Sequence, residues 1–433
     1  MTLSLALPDE VTACLLRDPV LPQQFAAICS TGGRRAGTPS ERAALDLVRR
    51  MGRDATGQAA QVLPAPYDGW ESTHAALHLL DGGGRVPVPC LPLLRSARIP
   101  PGGIEAEVVP VGRGTPEEFA ALDSELCGRF ALVRHEYMFA AGHIHRRRKY
   151  AAALAAGAAG FLIAGPLPAA TVAGSSGRLR EAGIPAFGIT PEGASRLSPS
   201  GTRARLHAEL LTREFSSETE TLLFDLPGQE TGWVVLSAHV DGHDPAESAM
   251  DNASGVAVAL AVTRALAPHA AGFRRGLRLA LFSAEEWALT GSRAYVEGLT
   301  PAERDGIALN VNLDSVAGAA GLTALCSGFP ALGAWVRQVS AASGLPAGVH
   351  LPPMENSDHA NFAAHGIPAL RLVAGFDEPA SNLRHVLTAA DTRDKVGEGE
   401  LRLAALSAAA LTWAALTAPS CEMVGLRRIR RSA

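Results

Sequence analysis

The stretch of sequence that decides the fold is WVVLSAHVDGHDPAESAMDNASGVAVALAVTRAL, residues 233–266. It begins with an apolar run typical of a strand that is covered on both faces, and it ends with the helical pattern GVAVALAVTRAL. His239 and Asp241 stand where the strand ends, and Asp251 and Asn252 stand where the helix begins. Active sites in parallel α/β sheets form at the carboxyl ends of the strands. Chemistry is therefore expected in this connection.

The alternation of strands and helices continues along the rest of the chain. The apolar runs LRLALFSA, IALNVNLDSV and IPALRLVA predict further strands. The segments TGSRAYVEGL, ALGAWVRQVSAAS and GELRLAALSAAALTWAAL predict helices between and after them. This order is typical of the α/β class. The fold class that we predict is a three-layer αβα sandwich with a mostly parallel central sheet.

Acidic and imidazole side chains follow these predicted strands. Glu285 and Glu286 end the run LRLALFSA, Asp314 ends VNL, and His385 follows the last strand within a loop. Burying several carboxylates together is costly because desolvation and mutual repulsion both oppose it. Bound divalent cations remove this cost, and a mixed set of histidines and carboxylates suits Zn²⁺ best, with Mn²⁺ or Co²⁺ as alternatives. The pattern predicts two ions that share one bridging aspartate.

These residues resemble the co-catalytic zinc aminopeptidases, a family related to glutamate carboxypeptidase and to the lysosomal and plasma dipeptidases. Five motifs carry the resemblance, and one motif alone is weak. The HxD motif is similar to residues 239–241, DNASG to 251–255, the paired glutamates to 285–286, NLD to 312–314, and SDHxxF…GIPA to 357–369. The resemblance implies a zinc exopeptidase fold for residues 231–400.

The resemblance also implies roles for individual residues. The implied ligands are His239, Asp251 and Asp314 for one zinc ion and Asp251, Glu286 and His385 for the second. Glu285 is the implied general base, which takes a proton from the metal-activated water and passes it to the leaving amine. Two carboxylates are implied to support the ligands from outside the metal contacts: Asp241, which orients His239, and Asp391.

The end of the ligand set departs from the family pattern. The family places its last histidine four residues before the aspartate of a DT pair, where this chain has Leu387 before Asp391. His385 lies two residues earlier, and we predict that a loop extension brings it to the metal. Arg384 replaces a tyrosine found in many members, and it is a candidate for oxyanion stabilisation, for a substrate carboxylate, or for a solvated loop position. Glu355 is a candidate contact for a free substrate amine.

Four activities remain open on these residues. The leading one is an aminopeptidase that acts on a peptide or small amide. A carboxypeptidase or dipeptidase is the alternative if Arg384 or Arg371 binds a terminal carboxylate. A single-zinc acyl transferase similar to glutaminyl cyclases requires one broken metal site, and a non-catalytic receptor or scaffold requires lost ligands. The expected zinc stoichiometry is two for the peptidase, one for the transferase and none for the scaffold.

The middle of the chain has a different sequence pattern. The segments GRFALVRHE, AGAAGFLI and IPAFGIT resemble the protease-associated domain, a smaller β-rich domain that several members carry as an insertion. The resemblance implies four parts. They are the first part of the catalytic domain at 1–95, the inserted domain at 96–211, the main part of the catalytic domain at 212–420, and a basic tail at 421–433 that we expect to be a disordered end.

Three features have plainer interpretations. The basic run at 146–149 is predicted to be the solvated face of an alanine-rich helix. His243, in the loop before Asp251, is interpreted as a surface histidine, with a spare metal ligand as the alternative. Asp251 taken alone also fits a helix N-cap, a position that aspartate favours.

Bulk composition limits the class of protein. A chain of 433 residues is expected to form two domains or one large domain with an insertion. A net charge of −4 gives no broad attraction to nucleic acid or to anionic membranes. The N-terminus has no signal-peptide pattern, and the six cysteines have no CxxC pairing. We therefore expect a cytoplasmic enzyme with free thiols, with no nucleic-acid or membrane partner; the oligomeric state is left open.

Overall fold

A computed structural model describes residues 6–178, 182–199, 201–244 and 246–427. Contacts divide the chain into two compact units. Unit 1 comprises Met1–Pro66, Glu218–Val386 and Asp391–Ala433, and unit 2 comprises Tyr67–Ser217 and Leu387–Ala390.

Fourteen strands lie within the described residues. They are β1 (Gln61–Asp81), β2 (Gly84–Pro87), β3 (Cys90–Pro92), β4 (Ile104–Gly112), β5 (Phe130–Arg134), β6 (Gly160–Ala164), β7 (Ala186–Ile189), β8 (Arg205–Leu226), β9 (Trp233–His239), β10 (Gly276–Phe282), β11 (Ile307–Leu313), β12 (Leu322–Leu325), β13 (Gly348–His350) and β14 (Ala369–Ala374).

The same described residues form thirteen α-helices and several short turns. The helices are α1 (Asp9–Arg17), α2 (Val20–Cys29), α3 (Pro39–Thr56), α4 (Pro116–Leu122), α5 (Arg146–Ala155), α6 (Pro191–Leu197), α7 (Ser254–Leu266), α8 (Thr290–Gly298), α9 (Pro301–Gly306), α10 (Pro330–Ser343), α11 (His359–Ala364), α12 (Glu398–Thr417) and α13 (Ser420–Gly425). The turns are a π-helical one at Ala249–Ala253 and 3₁₀ ones at Asp123–Leu126, Ala267–Gly272, Asn382–His385 and Arg393–Lys395.

The sheet of unit 1 is mostly parallel. Its strand order is β13-β12-β14-β11-β9-β10-β8. Strands β14, β11, β9 and β10 are parallel to one another, whereas β12 pairs antiparallel with β14 and β8 pairs antiparallel with β10. Helices α7 and α12 pack on β9 and β11, and α11 packs on β11 and β14. This confirms the predicted α/β class with a mostly parallel central sheet flanked by helices.

Helix α3 begins where its sequence predicts. Thr38 is the N-cap and accepts a hydrogen bond from the Glu41 backbone at 3.3 Å, Pro39 occupies the first helical position, and Gly57 ends the helix in a left-handed conformation. The Glu41 carboxylate is buried and accepts from the Gly37 backbone at 2.5 Å. The capping residues therefore fix the start of a helix whose apolar side faces the core of unit 1.

Gly52 tests how tightly α3 packs on the sheet. Alanine normally stabilises a helix by about 0.5–1 kcal/mol relative to glycine. A Cβ at Gly52, however, would lie 2.3–2.9 Å from ring atoms of Phe224 in β8. We expect Gly52→Ala to lower the free energy of unfolding by about 1–3 kcal/mol, because overpacking forces the ring or the helix to move. Urea denaturation followed by circular dichroism measures this change.

Gly399, in the first turn of α12, is the matched control. A Cβ added there meets no atom within 4 Å, so we expect Gly399→Ala to leave stability unchanged or to raise it by up to about 1 kcal/mol. A Gly52→Ala variant as stable as the wild type would contradict the packing described here.

Unit 2 has its own sheet and its own cores. The strand order is β8-β4-β5-β6-β7-β3, in which β4 to β7 are parallel and both outer pairings are antiparallel. The prediction of a solvated face at 146–149 is wrong for two of its four residues. Lys149 is buried and donates to the Arg134 carbonyl at 2.9 Å, and Arg146 is buried and donates to the Ser175 carbonyl at 2.7 Å. The hydrogen bonds to these carbonyls offset the free-energy cost of burying the two cations.

The boundaries of unit 2 differ from the predicted ones. It begins at Tyr67 rather than at residue 96, and it runs to Ser217 rather than to 211. The reason is that Leu77 in β1 and Val88, directly after β2, are buried in the same apolar core as Phe130. That unit 2 is a protease-associated domain stays a prediction.

The C-terminal segment also differs from the prediction. Residues 420–425 form helix α13, and the Arg427 guanidinium donates to the Asp305 carbonyl at 2.8 Å and to the Ile307 carbonyl at 2.6 Å. The chain is therefore ordered through Arg427, because these contacts hold its end against the core. The rest of the predicted basic tail, 428–433, lies outside the described residues.

Within the described ranges, one stretch has the length and hydropathy of a membrane span, Ala249–Gly272. Most of this stretch is helix α7, whose residues from 254 to 263 are all buried. Helix α7 packs on β9 and α12. Its apolar character is explained by its place in the core of unit 1.

Candidate metal centre

The polar residues predicted at strand ends lie at one edge of the unit 1 sheet. Strands β9, β10 and β11 are parallel, with Phe282 opposite His239 and Asn312 opposite Ser237. Their carboxyl ends therefore meet at one edge. His239 ends β9, and Asp314 directly follows β11. The predicted position of the site at the carboxyl ends of the strands agrees with the structure.

Two groups of side chains at this edge have the donor atoms for a metal ion. Within each group all donor atoms lie within 4.8 Å of one another; the groups are His239, Glu285 and Asp314, and His239, Asp251 and Glu286. His239 Nε2 lies 3.1 Å from an Asp251 carboxylate oxygen and 3.6 Å from one of Asp314. One imidazole and several buried carboxylates form a donor set that fits a divalent ion such as Zn²⁺.

Asp241 sets the direction of the two glutamates. Its carboxylate oxygens accept hydrogen bonds from the Glu285 backbone at 3.1 Å and the Glu286 backbone at 3.2 Å. Its backbone carbonyl lies 3.1 Å from His239 Nδ1, whereas its carboxylate lies 3.7 Å away. The predicted contact between Asp241 and His239 therefore runs through the carbonyl. The carboxylate fixes the backbone that carries Glu285 and Glu286.

Asp251 lies before helix α7 and is not its N-cap. The N-cap is Ala253, and Asp251 and Asn252 have non-helical backbone angles. The side chain of Asp391 accepts from the Met250 backbone at 2.7 Å and from the Asp251 backbone at 3.3 Å. Asp391 thus fixes the turn that carries Asp251; its role in supporting metal ligands stays a prediction.

The electrostatics of the cluster favour a bound cation. Burial raises the pKa of Glu285 well above its ordinary value. Burial alone would lower the pKa of His239, but the surrounding carboxylates, Glu285 first, hold it well above the ordinary value. Burial also raises the pKa of Asp358, next to the cluster, to about 7. A buried group of carboxylates that retains protons is stabilised when a divalent cation replaces them.

Arg371 contacts a ligand candidate and not the solvent. It is buried, and its guanidinium lies 3.1 Å from an Asp314 carboxylate oxygen. Burial alone would raise the pKa of Asp314, but Arg371 and His239 hold it below its ordinary value. Arg371 therefore serves to hold Asp314 in its charged form. The alternative in which this arginine grips a substrate carboxylate loses support, because the guanidinium is engaged inside the protein.

The remaining predicted contacts lie on loops. Arg384 is exposed and donates to the Ala380 carbonyl at 3.0 Å, and Glu355 is exposed in the segment after β13. His385, which ends a 3₁₀ turn, is partly buried. Among the described residues, neither His385 nor His243 belongs to the two groups of metal-donor atoms. That His385 is a metal ligand stays a prediction.

The interpretation of His243 as a surface residue is wrong. Only 6% of its side chain is exposed, and its Nε2 lies 2.5 Å from a carboxylate oxygen of Glu286. The loop that carries it folds inward because Arg34, itself buried, donates to the carbonyls of Val240 at 2.8 Å and Ser248 at 2.7 Å.

Sequence reasoning missed Arg34 and gave no role to Asp358. Arg34 stands in the segment GGRRAG, residues 32–37, more than 200 positions before the carbonyls that it contacts. No spacing rule connects such distant positions. The signal for Asp358 was present in the motif SDH at 357–359, but its burial beside the cluster depends on the tertiary structure.

Part of the chain matches a known protein family. Residues 221–412 match the family described as "Peptidase family M28". We refer to residues 221–412 as the M28 segment. Every side chain in the two metal-donor groups lies within the M28 segment. The family and the relatives below support a metallopeptidase, a hydrolase that acts on peptide bonds.

A curated relative and two solved structures resemble the chain. The probable lipoprotein aminopeptidase LpqL of Mycobacterium tuberculosis is 30% identical over 172 residues, which cover 39% of this chain and 34% of that protein. The match thus spans about a third of the length of LpqL.

The two structures have the same fold as this chain. The peptidase M28 precursor of Shewanella amazonensis has a TM-score of 0.80 at 18% identity, over 98% of each chain. BSAP, a zinc aminopeptidase from Bacillus subtilis, has a TM-score of 0.69 at 22% identity, over 90% of this chain and 93% of BSAP. The fold therefore extends across nearly the whole M28-containing chain, including unit 2.

Proposed function

We propose that this protein is a zinc-dependent exopeptidase and, more specifically, an aminopeptidase that removes residues from the N-terminus of peptides or small amides. The observation that carries the proposal is the buried pair of metal-donor groups around His239 within the M28 segment. The names of LpqL as a probable aminopeptidase and of BSAP as a zinc aminopeptidase support the choice of activity and metal.

The proposed centre holds two Zn²⁺ ions, with Mn²⁺ or Co²⁺ as substitutes. His239, Asp251 and Asp314 would hold one ion, and Asp251 and Glu286 would contribute to the other. Asp251 would bridge the ions, and its contact with His239, which is common to both donor groups, supports this assignment. When bound, the ions would polarise the scissile carbonyl and lower the pKa of the attacking water.

Glu285 would act as the general base. Its backbone is held by Asp241, and its carboxylate lies within 4.8 Å of the donor atoms of His239 and Asp314. From this position the carboxylate would take the proton of the attacking water and pass it to the leaving amine. The burial of Glu285 excludes bulk water from the proton transfer.

A peptide library tests the proposal. Peptides with free and blocked ends in all combinations are incubated with zinc-loaded protein and with a sample treated with chelator, and the products are identified by mass spectrometry. We expect metal-dependent loss of residues from free N-termini only, with cleavage abolished by the chelator and restored by added Zn²⁺.

The other outcomes of this experiment assign other activities. Loss of residues only from free C-termini would replace the aminopeptidase by a carboxypeptidase. The exposed Arg384 would then be the first residue to mutate, because its guanidinium suits a terminal carboxylate. Cleavage that persists in the chelated sample would contradict the metal-dependent mechanism.

We keep a cytoplasmic location as part of the proposal, on the scattered cysteines, which form no CxxC pair. The name of LpqL describes that relative as a lipoprotein. Fractionation of cells that express the full natural chain would decide between a cytoplasmic and a membrane-anchored protein.

A further inference from the structure

We propose that His243 is a ligand of the second metal ion, together with Glu286 and Asp251, and that it takes the place predicted for His385. The inference rests on the proposed function in one respect, since it assumes a centre with two metal ions. It adds a ligand that comes from the loop between β9 and α7.

The position of the imidazole fits this role. His243 Nε2 lies 2.5 Å from a Glu286 carboxylate oxygen, and 10% of the Glu286 side chain is exposed. Glu286 in turn belongs to the donor group that contains His239 and Asp251. Two donor atoms about 2.0–2.2 Å from a tetrahedral Zn²⁺ lie about 3.4 Å apart. A displacement of roughly 1 Å therefore gives His243 and Glu286 the spacing of two ligands of one ion.

The backbone of His243 is held firmly. Its N–H donates to the Ser248 hydroxyl at 2.9 Å, and that hydroxyl donates to the His243 carbonyl at 3.2 Å. On the other side, a Cβ at Gly33 would lie 2.9 Å from the same carbonyl, so only a glycine permits this approach. Arg34 holds the carbonyl of Ser248 at 2.7 Å. A ligand that is positioned before the metal arrives loses less conformational freedom on binding.

His385 has a different environment. It is only partly buried. Burial lowers the pKa of its imidazole, Arg384 and Lys395 lower it further, and Asp394 opposes them. The position four residues before Asp391 is occupied by Leu387, which is buried.

The alternative is an ion pair in which His243 supports Glu286 and does not contact the metal. The two roles predict different metal affinities. Loss of a residue that merely supports a ligand weakens metal binding about 10–100-fold. Loss of a ligand is expected to leave the second site empty when the Zn²⁺ concentration is micromolar. The choice of variants therefore separates the two roles.

The experiment measures bound metal in the full chain. His243→Ala, His243→Asn and His385→Ala are dialysed against micromolar Zn²⁺, and the zinc content per chain is measured by plasma mass spectrometry. Asn keeps an N–H donor for Glu286 but is a poor zinc ligand. We expect two ions for the wild type and for His385→Ala. We expect one ion for both His243 variants, with the affinity for the second ion weakened by more than about 100-fold.

A second readout follows the metal directly. In the Co²⁺-substituted protein, the visible absorption per chain should fall by about half in His243→Ala and stay unchanged in His385→Ala. Urea denaturation of the metal-free variants shows whether each one is folded, and His243→Asn serves if His243→Ala is not.

The outcomes are distinct. Two ions in the wild type and two in His243→Asn, with the affinity for the second ion unchanged or weakened by less than about 100-fold, overturn this inference and leave the proposed function standing. One ion in His385→Ala with two in His243→Ala restores the ligand predicted from the sequence. Fewer than two ions in the wild type overturn the inference and the two-ion centre of the proposed function together.

Discussion

Replacing Glu285 by Gln is expected to lower kcat by about 10²–10⁴-fold while the protein keeps its metal. The factor is the usual contribution of a general acid–base group. Gln retains the shape of the side chain and has no carboxylate to accept the proton of the attacking water. The measurement combines kcat for the best peptide from the library with zinc content per chain.

The zinc content distinguishes a role of Glu285 as a base from a role as a ligand. Glu285 lies in one of the two metal-donor groups, so it is geometrically able to be a ligand instead of a base. A Glu285→Gln variant that loses an ion would show that Glu285 is a ligand. Full activity would contradict the mechanism. Glu297→Gln, on the exposed end of α8, is the matched control and should change neither quantity.

Replacing Arg34 by Met is expected to lower the free energy of unfolding of the metal-free protein by about 3–5 kcal/mol, because several buried carbonyls lose their donor and each unsatisfied one costs about 1–3 kcal/mol. The Arg34 guanidinium is 0% exposed, and it donates to the carbonyls of Val240 and Ser248 at 2.8 and 2.7 Å. It also donates to the Gly32 and Glu247 carbonyls at 2.9 and 2.6 Å. Methionine fills similar space but leaves these buried acceptors without a donor.

Arg42→Met is the control for this prediction. Arg42 is exposed and donates to the Gly37 carbonyl at 3.1 Å, so its loss should change stability by no more than about 0.5 kcal/mol. Metal-free samples are used because bound ions add stability by mass action. If Arg34→Met and Arg42→Met unfold at the same urea concentration, the buried carbonyls that Arg34 contacts do not need its hydrogen bonds for stability.

Arg34→Met also reports on the loop that carries His243. Because Arg34 holds this loop at Val240 and Ser248, the variant should bind its second zinc ion more weakly than the wild type, about 10–100-fold as for other residues behind a ligand. Unchanged zinc affinity would show that the loop keeps its conformation without the arginine.

The residues that follow strands were predictable from the sequence. Apolar runs such as WVVLSAH predict buried parallel strands, and parallel strands bring their carboxyl ends to one edge. His239, Glu285 and Asp314 therefore had to lie near one another once the strands were recognised. The start of α3 was equally local, since Thr38 and Glu41 cap a helix through neighbouring backbone groups.

The tertiary structure alone decided the parts that depend on distant contacts. Local patterns do not show that Leu77 packs with Phe130 in unit 2, so the boundary of that unit came from the structure. They also do not show where a loop turns its side chains. His385 stands two residues from the position of the family's last histidine, and among the described residues neither it nor His243 belongs to the two metal-donor groups. His243 lies against Glu286 because Arg34, far away in sequence, supplies hydrogen bonds to the carbonyls of its loop.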